Sequence, residues 1–307
     1  MIGKDFHNRN IRICASRAEY QNSHLDVIAN AAKELYDGHH PLRILDIATG
    51  GNSFNPLVVK RLVKEGIDYR LVVSDVCVEI STSRDEPGGF LRGYMLLEKM
   101  LSSDELEKVT AVMGDARDMR SEIKEVHAYI DPDRYKFSLE EALANPRYSF
   151  LRKGYNLSAG YSRGIGRTVA FEDGSFDMVT GIIPFGSIVQ YNPAVKESAR
   201  VLKRGGYLVV DEFSVEEVNS TGSRFKKMFK AMKDDPKHIT PFLFGTLQAL
   251  SRAHSDKLGR LCAKLDEVLE FQEAFGCYRT INSNEQDPTT TVHKGDKVRD
   301  TVLVYKK

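Results

Sequence analysis

The sequence predicts an α/β fold: a mostly parallel β-sheet with helices on both faces, formed by residues 1–307 as a single domain. Short apolar runs alternate with longer segments of helical periodicity, and this alternation is typical of the crossovers that connect parallel strands. A small-residue turn follows the first apolar run and would open a helix. Two apolar runs near the end of the chain are joined only by a polar link, which predicts an antiparallel pair.

Seven apolar runs are expected to form the strands of this sheet. The last two, 277–281 and 298–305, make the antiparallel pair, because the link between them has too few periodic apolar residues for a crossover helix. The other runs are expected to be parallel, and they are 43–46, 69–74, 109–113, 176–180 and 207–211.

Several segments outside these strands have helical or unusually long patterns. Residues 1–40 contain an amphipathic helix, 19–36, that would cover one side of a pocket or simply pack on the sheet. The segment 56–65 is expected to be the first crossover helix. An insertion, 117–167, and a helical addition between strands five and six, 214–275, exceed ordinary connections. Segments of this length are usually lids or partner surfaces.

Composition limits the classes of function. The 44 basic and 43 acidic residues leave a net charge of +1, so no overall field favours nucleic acid or an acidic membrane. The 4 cysteines are far apart, which disfavours a zinc site or a disulfide framework and fits a reducing cytoplasm. The histidines lack the spacing of metal ligands, so we expect no metal. No apolar run approaches the roughly 20 residues that span a bilayer.

The turn from Asp46 to Ser53 predicts a cofactor pocket. Its small residues let the backbone approach a ligand, while the first N–H groups of the next helix point at it. Nicotinamide dinucleotides and S-adenosylmethionine are both bound by this geometry. A nicotinamide site would have the pattern Gly-x-Gly-x-x-Gly, but Asn52 and Asn55 stand at its second and third positions counted from Gly50. The turn therefore disfavours a nicotinamide dehydrogenase.

Acidic residues follow the next two predicted strands. Asp75 ends the second strand, where its carboxylate can accept hydrogen bonds from both hydroxyls of a ribose, or can instead cap a helix. Asp115 follows the third strand within the sequence Gly114-Asp115-Ala116. Because the carboxyl ends of parallel strands meet at one edge of a sheet, both acids are expected beside the turn.

With these pieces in order, the sequence resembles the class I S-adenosylmethionine-dependent methyltransferases. The run 169–179 closely resembles the turn entering strand four in the branch of the ubiquinone and menaquinone C-methyltransferases, and 201–210 resembles the glycine turn into strand five. Ala48 and Asn52 stand at common glycine positions of the first motif, and Arg204 stands where proline is usual. The resemblance covers residues 42–214 without the insertion.

This resemblance implies a Rossmann-like sheet of seven strands with the last strand reversed. It implies S-adenosylmethionine as the cofactor, whose sulfonium-bound methyl group is displaced in line by a nucleophile. Asp115 would accept from the adenine amino group. A dedicated general base is optional in such enzymes, because much of their rate comes from holding the reactants together and excluding water. The residues expected at the cofactor are Asp46, Ala48, Gly50, Gly51, Asn52, Asp75, Val76, Asp115, Ala116, Gly181 and Ile182.

The segment after strand four, 181–187, is the predicted wall of the acceptor site. Methyltransferases that act on exocyclic or amide nitrogens often have a polar residue there, whereas Ile182 and Ile183 occupy this position. We therefore expect a small organic acceptor that is methylated on oxygen or carbon rather than nitrogen. The sequence does not identify the catalytic residue, and the candidates for contact with the acceptor are Tyr20, Tyr155 and Tyr161.

Two segments leave other partners open. Residues 147–167 interleave basic and aromatic side chains, which could bind an anionic substrate, stack on bases, or form a solvated loop. Residues 224–233 combine an apolar helical face with basic residues, which suits an anionic membrane surface, a cover over the active site, or a homodimer contact. An RNA-directed methyltransferase and a non-catalytic donor-binding regulator are the remaining alternatives.

Overall fold

An eight-stranded sheet with helices on both faces organises the protein. The structure is a computed structural model that describes residues 11–51, 54–75, 77–79, 89–120, 126–129, 156–158, 161–164, 170–182, 184–187, 191–217, 257–280 and 297–307. The strands of the large sheet are β1 (Arg12–Ile13), β2 (Leu42–Ile47), β3 (Tyr69–Asp75), β5 (Val109–Met113), β9 (Phe176–Ile182), β10 (Leu202–Glu217), β11 (Glu270–Thr280) and β12 (Lys297–Lys306).

The strand order is β1-β11-β12-β10-β9-β2-β3-β5. Strands β2, β3, β5, β9 and β10 pair with one another in parallel, and β12 runs antiparallel to both β10 and β11. This confirms the predicted α/β class, the mostly parallel sheet and the reversed last strand. The chain reverses strand order between β2 and β9, which is where open sheets of this kind bind ligands at the carboxyl ends of their strands.

The sheet contains one strand more than the seven expected. The additional strand, β1, has two exposed residues and pairs in parallel with β11 at the edge. Two residues without an apolar pattern cannot be recognised as a strand from sequence, because only pairing with β11 defines them.

The region predicted as a helical addition, 214–275, contains strand residues at both ends. β10 continues through Glu217 because it finds partners along β12, and β11 already begins at Glu270. Within this region the structure describes one helix, Lys257–Asp266.

Helices cover both faces of the sheet, as expected. On one face lie α1 (Arg17–Leu35), α2 (Phe54–Lys64) and α3 (Gly89–Met100), followed by the short α4 (Ser103–Leu106). On the other lie α6 (Tyr191–Val201) and α7 (Lys257–Asp266), with the single-turn α5 (Pro184–Ser187) at the end of β9. The predicted helices 19–36 and 56–65 correspond to α1 and α2.

A small second sheet is built partly from the insertion. Its strands are β4 (Cys77–Glu79), β6 (Val126–Tyr129), β7 (Asn156–Ser158) and β8 (Tyr161–Gly164), in the order β4-β6-β8-β7. The insertion 117–167 therefore pairs with the segment that follows β3.

In the part of the chain that the structure describes, no helix combines the length and apolar character needed to cross a membrane. The same residues contain no cluster of three histidine, cysteine, aspartate or glutamate side chains suited to a metal ion.

Candidate cofactor and acceptor site

Asp46 holds together the elements that surround the turn after β2. Its carboxylate is buried and accepts hydrogen bonds from the hydroxyl of Thr49 (2.7 Å), the side-chain amide of Asn55 (2.8 Å) and the hydroxyl of Thr180 (3.1 Å). Burial raises the pKa of Asp46 to about 6, although these three hydrogen bonds lower it. The carboxylate thus connects β2 to the turn, to α2 and to β9.

The backbone of the turn bends through two residues in the left-handed region. Ala48 has φ +49° and Gly50 has φ +53°. Gly50 adopts this conformation without steric cost, whereas an alanine rarely does. A Cβ built on Gly50 would find no atom closer than 3.9 Å, so open space adjoins the backbone there. The turn therefore leaves room for a ligand beside its main chain.

Asp75, the last residue of β3, joins the turn to the segment after β5. Its carboxylate oxygen Oδ2 accepts from the N–H of Gly50 at 2.8 Å, and its carbonyl oxygen accepts from the N–H of Gly114 at 2.9 Å. The side chain is largely buried. Three segments that are distant in the sequence consequently meet at one residue.

Asp115, the acid expected at the adenine, is paired with Arg117. Its carboxylate accepts from the backbone N–H of Arg117 at 2.9 Å, and the Arg117 Nη2 lies 2.5 Å from Oδ2. Both side chains remain partly exposed. An adenine amino group would therefore share this carboxylate with a guanidinium.

The wall after β9 packs against the ends of β2 and β10. A Cβ on Gly181 would lie 2.7 Å from the Pro184 side chain and 3.0 Å from the carbonyl oxygen of Ile47, so only glycine fits. The N–H of Phe185 donates to the buried carboxylate of Glu212 at 2.7 Å. Glu212 thereby holds the first turn of α5 on the end of the sheet.

Tyr20, the predicted acceptor contact from the N-terminal region, lies in α1 and is buried. Its hydroxyl donates to Asp211 Oδ1 at 2.6 Å, and the guanidinium of Arg17 lies 4.9 Å from the centre of its ring. Burial and the adjacent Asp211 raise the pKa of Tyr20 far above its ordinary value, so the phenol stays protonated.

The predicted cofactor residues that the structure describes lie at the carboxyl ends of four neighbouring strands. Asn52, Val76, Tyr155 and the segment 224–233 are outside the described residues. Of Tyr161 the structure gives the backbone position in β8. The residues brought to this edge of the sheet are Asp46, Ala48, Gly50, Gly51, Asp75, Asp115, Ala116, Gly181 and Ile182.

Sequence reasoning missed the residues that organise this edge. Thr49, Asn55 and Thr180 bind Asp46, and Asp211 binds Tyr20. A signal was available for Thr180 and Asp211, because each is a polar residue near the carboxyl end of an apolar strand. Asn55 gives no such signal, since its role depends on where α2 begins.

Substituting Gly93 is expected to disturb the turn from outside it. Gly93 lies in α3, and a Cβ there would be pressed against the carbonyl oxygen of Gly50, well inside van der Waals contact. We expect Gly93→Ala to destabilise the protein by about 1–3 kcal/mol, as other overpacking substitutions do. Calorimetry should also show weaker binding of S-adenosylhomocysteine, because the turn must move. Lys99→Ala, on the exposed side of the same helix, is the control that should change neither.

Comparisons with known proteins add evidence on the family. Residues 137–248 match the model of the ubiE/COQ5 methyltransferase family, and this stretch includes the turn that carried the sequence resemblance. A search of curated proteins finds no match.

Several solved structures are similar to this chain. YcgJ from Bacillus subtilis has 13% identity and a TM-score of 0.46, with 93% of this chain and 99% of that chain covered. The MccD protein has 13% identity and a TM-score of 0.47, with 92% and 96% covered. An arsenic(III) S-adenosylmethionine methyltransferase from Chlamydomonas reinhardtii has 12% identity and a TM-score of 0.42, with 92% and 73% covered.

Proposed function

We propose that this chain is a class I S-adenosylmethionine-dependent methyltransferase and that it methylates a small organic molecule on oxygen or carbon. The observation that supports this proposal is the apolar character of the residues at the carboxyl end of β9. Ile182 and Ile183 occupy the place where a polar side chain would bind an amino group, and the N–H of Phe185 is already bonded to Glu212. The described wall therefore offers apolar contact rather than recognition of an amine.

The residues around the turn fit the donor. Open space adjoins Gly50, and the Asp75 carboxylate lies beside it, bonded to the Gly50 N–H. Asp75 would hold the ribose hydroxyls, and Asp115 would hold the adenine. The bound donor supplies an activated methyl group on a sulfonium.

The protein's own contribution is to bind, orient and shield. Holding an acceptor atom in line with a donor methyl converts a bimolecular reaction into a positioned one, which lowers the barrier by roughly 7–11 kcal/mol in favourable cases. Helix α1 packs on one face of the sheet with buried side chains. This packing restricts the access of water beside β9 and β10.

Methyl transfer to a panel of small acceptors tests this proposal. The purified chain is incubated with methyl-labelled S-adenosylmethionine and with phenols, hydroquinones, β-dicarbonyl compounds, carboxylates and amines. We expect S-adenosylhomocysteine and a methylated product from a hydroxyl or acidic-carbon acceptor. Transfer to RNA alone, with salt-sensitive binding, would replace the proposal by an RNA-directed activity. Donor binding without transfer to any acceptor would indicate a regulatory binding protein.

A further inference from the structure

Asp211 lies at the edge of the sheet where an acceptor would bind. In the register of β10 with β9, Asp211 is opposite Ile182, the last residue of β9. Along β10 it shares a face with Val209, which packs in the same cluster as Tyr20 of α1. The Asp211 carboxylate is thus two strands away from the turn that follows β2, and along the strand direction it lies where that turn begins.

The surroundings of Asp211 differ from those of its acidic neighbour, Asp300 of β12. Arg17 Nη1 lies 2.5 Å from Asp300 Oδ2, and Arg279 Nε lies 2.8 Å from the same oxygen. Asp211 accepts one hydrogen bond from a described side chain, the 2.6 Å bond from Tyr20. Of these two acids, Asp211 is therefore bonded to a phenol, whereas Asp300 is bonded to guanidinium groups.

This arrangement makes the ionised form of Asp211 costly. Burial and then the charge of Asp300 raise the pKa of Asp211 to about 8, and Glu212 raises it further, while Tyr20 and Arg17 lower it. A carboxyl with a pKa in this range can both accept and release a proton near neutral pH. Buried acids with strongly shifted pKa values are concentrated at functional sites. They reduce the stability of the fold, so they are retained mainly where they serve a function.

We propose that Asp211 takes the proton of the acceptor and that Tyr20 positions its carboxylate, an inference that rests on the proposed function. The acceptor's O–H or acidic C–H bond breaks, and its proton passes to a carboxylate oxygen of Asp211. The electron pair left on the acceptor atom forms the bond to the donor methyl. The methyl–sulfur bond breaks with its electrons going to sulfur, which leaves neutral S-adenosylhomocysteine. Asp211 later releases the proton to solvent.

Asp211→Asn tests this role, because asparagine keeps the shape and an oxygen that can accept from Tyr20. We expect kcat to fall about 100-fold or more with an acceptor from the panel. The affinity for S-adenosylhomocysteine should stay within about twofold, and the melting temperature should not fall, because asparagine, like the protonated carboxyl, carries no charge. Asp177→Asn, at the amino end of β9, is the matched control and should keep wild-type kcat. Retention of kcat by Asp211→Asn would overturn the proposal while leaving methyltransferase activity intact.

Tyr20→Phe separates positioning from catalysis. Loss of the hydrogen bond should raise the pKa of Asp211, so the part of the kcat/KM profile that increases with pH should move to higher pH. The kcat should fall less than it does in Asp211→Asn. An unchanged profile would show that Tyr20 does not act through Asp211.

A measurement without an acceptor decides the case even if the panel yields no turnover. In protein with labelled aspartate carboxyls and bound S-adenosylhomocysteine, the resonance missing from Asp211→Asn identifies this group. We expect it to titrate near pH 8. A carboxyl that remains in one protonation state across the whole pH range in which the protein stays folded could not serve as the proton acceptor, and the proposal would fail.

Discussion

Asp46→Ala is expected to destabilise the folded protein by about 2–4 kcal/mol. Most of this loss comes from leaving buried hydrogen-bond donors without an acceptor. The substitution removes the acceptor of the Thr49 hydroxyl, the Asn55 amide and the Thr180 hydroxyl. Thr49 can still donate to the carbonyl oxygen of residue 46, which lies 3.1 Å away, so the three losses do not add in full. Urea unfolding monitored by circular dichroism measures the change.

Asp177→Ala, near the opposite end of the neighbouring strand, serves as the control because its carboxylate contacts Lys203 and the Arg43 N–H at a more exposed site. A loss below about 1 kcal/mol for Asp46→Ala would contradict the assigned hydrogen bonds, since ordinary surface substitutions reach that range.

The same residue makes part of the stability dependent on pH. The pKa of Asp46 is raised to about 6 in the folded protein from an ordinary value of 3.8, so the folded state binds more protons between these values. Its contribution to stability is complete below pH 3.8 and is lost as the pH rises through 6. We expect Asp46→Asn to remove this part of the pH profile, measured as the urea midpoint against pH.

Asp75→Ala is expected to weaken the binding of S-adenosylhomocysteine by about 1–3 kcal/mol, the range for charge-assisted hydrogen bonds. The variant loses the proposed acceptor for the ribose hydroxyls and also the partner of the Gly50 N–H, so the turn should be loosened as well. Asp75→Asn keeps one oxygen for that N–H and should show a smaller loss. Isothermal titration calorimetry measures both.

The control for this series is Asp68→Ala, immediately before the same strand, where the carboxylate pairs with Lys108 at the surface. It should bind the ligand as the wild type does. Equal affinities of wild type and Asp75→Ala would show that the ribose lies elsewhere, and the assignment of the second strand's acid would be wrong.

The central strands could be predicted because they are buried on both faces and therefore read as continuous apolar runs. Pairing extended them by a few residues, as in β10, whose final residues are strand only because β12 lies beside them. The strands of the second sheet are three or four residues long and include polar segments such as Tyr161–Gly164. Such short polar segments become strands through their neighbours, and no periodicity in the chain marks them.

The position of a site residue could be predicted from the sequence where the residue lies at the end of a strand. Asp46, Asp75 and Asp115 follow apolar runs, so their common edge followed from the topology of a parallel sheet. Contacts between distant segments were beyond sequence reasoning. The Tyr20 hydroxyl and Asp211 are 191 residues apart, and only the packing of α1 on β10 brings them together.

The attachment of α1 has a consequence for when the protein can become active. Arg17 at the start of α1 is paired with Asp300 of β12, 283 residues away, and Cys14 just before it bonds to the backbone of β11. During synthesis the first helix therefore emerges long before its anchoring strands exist. A nascent chain can assemble the central strands and the donor turn, but it cannot seat this helix until the last strand has left the ribosome. Emergence of β12 is then the event that allows α1 to pack on the sheet.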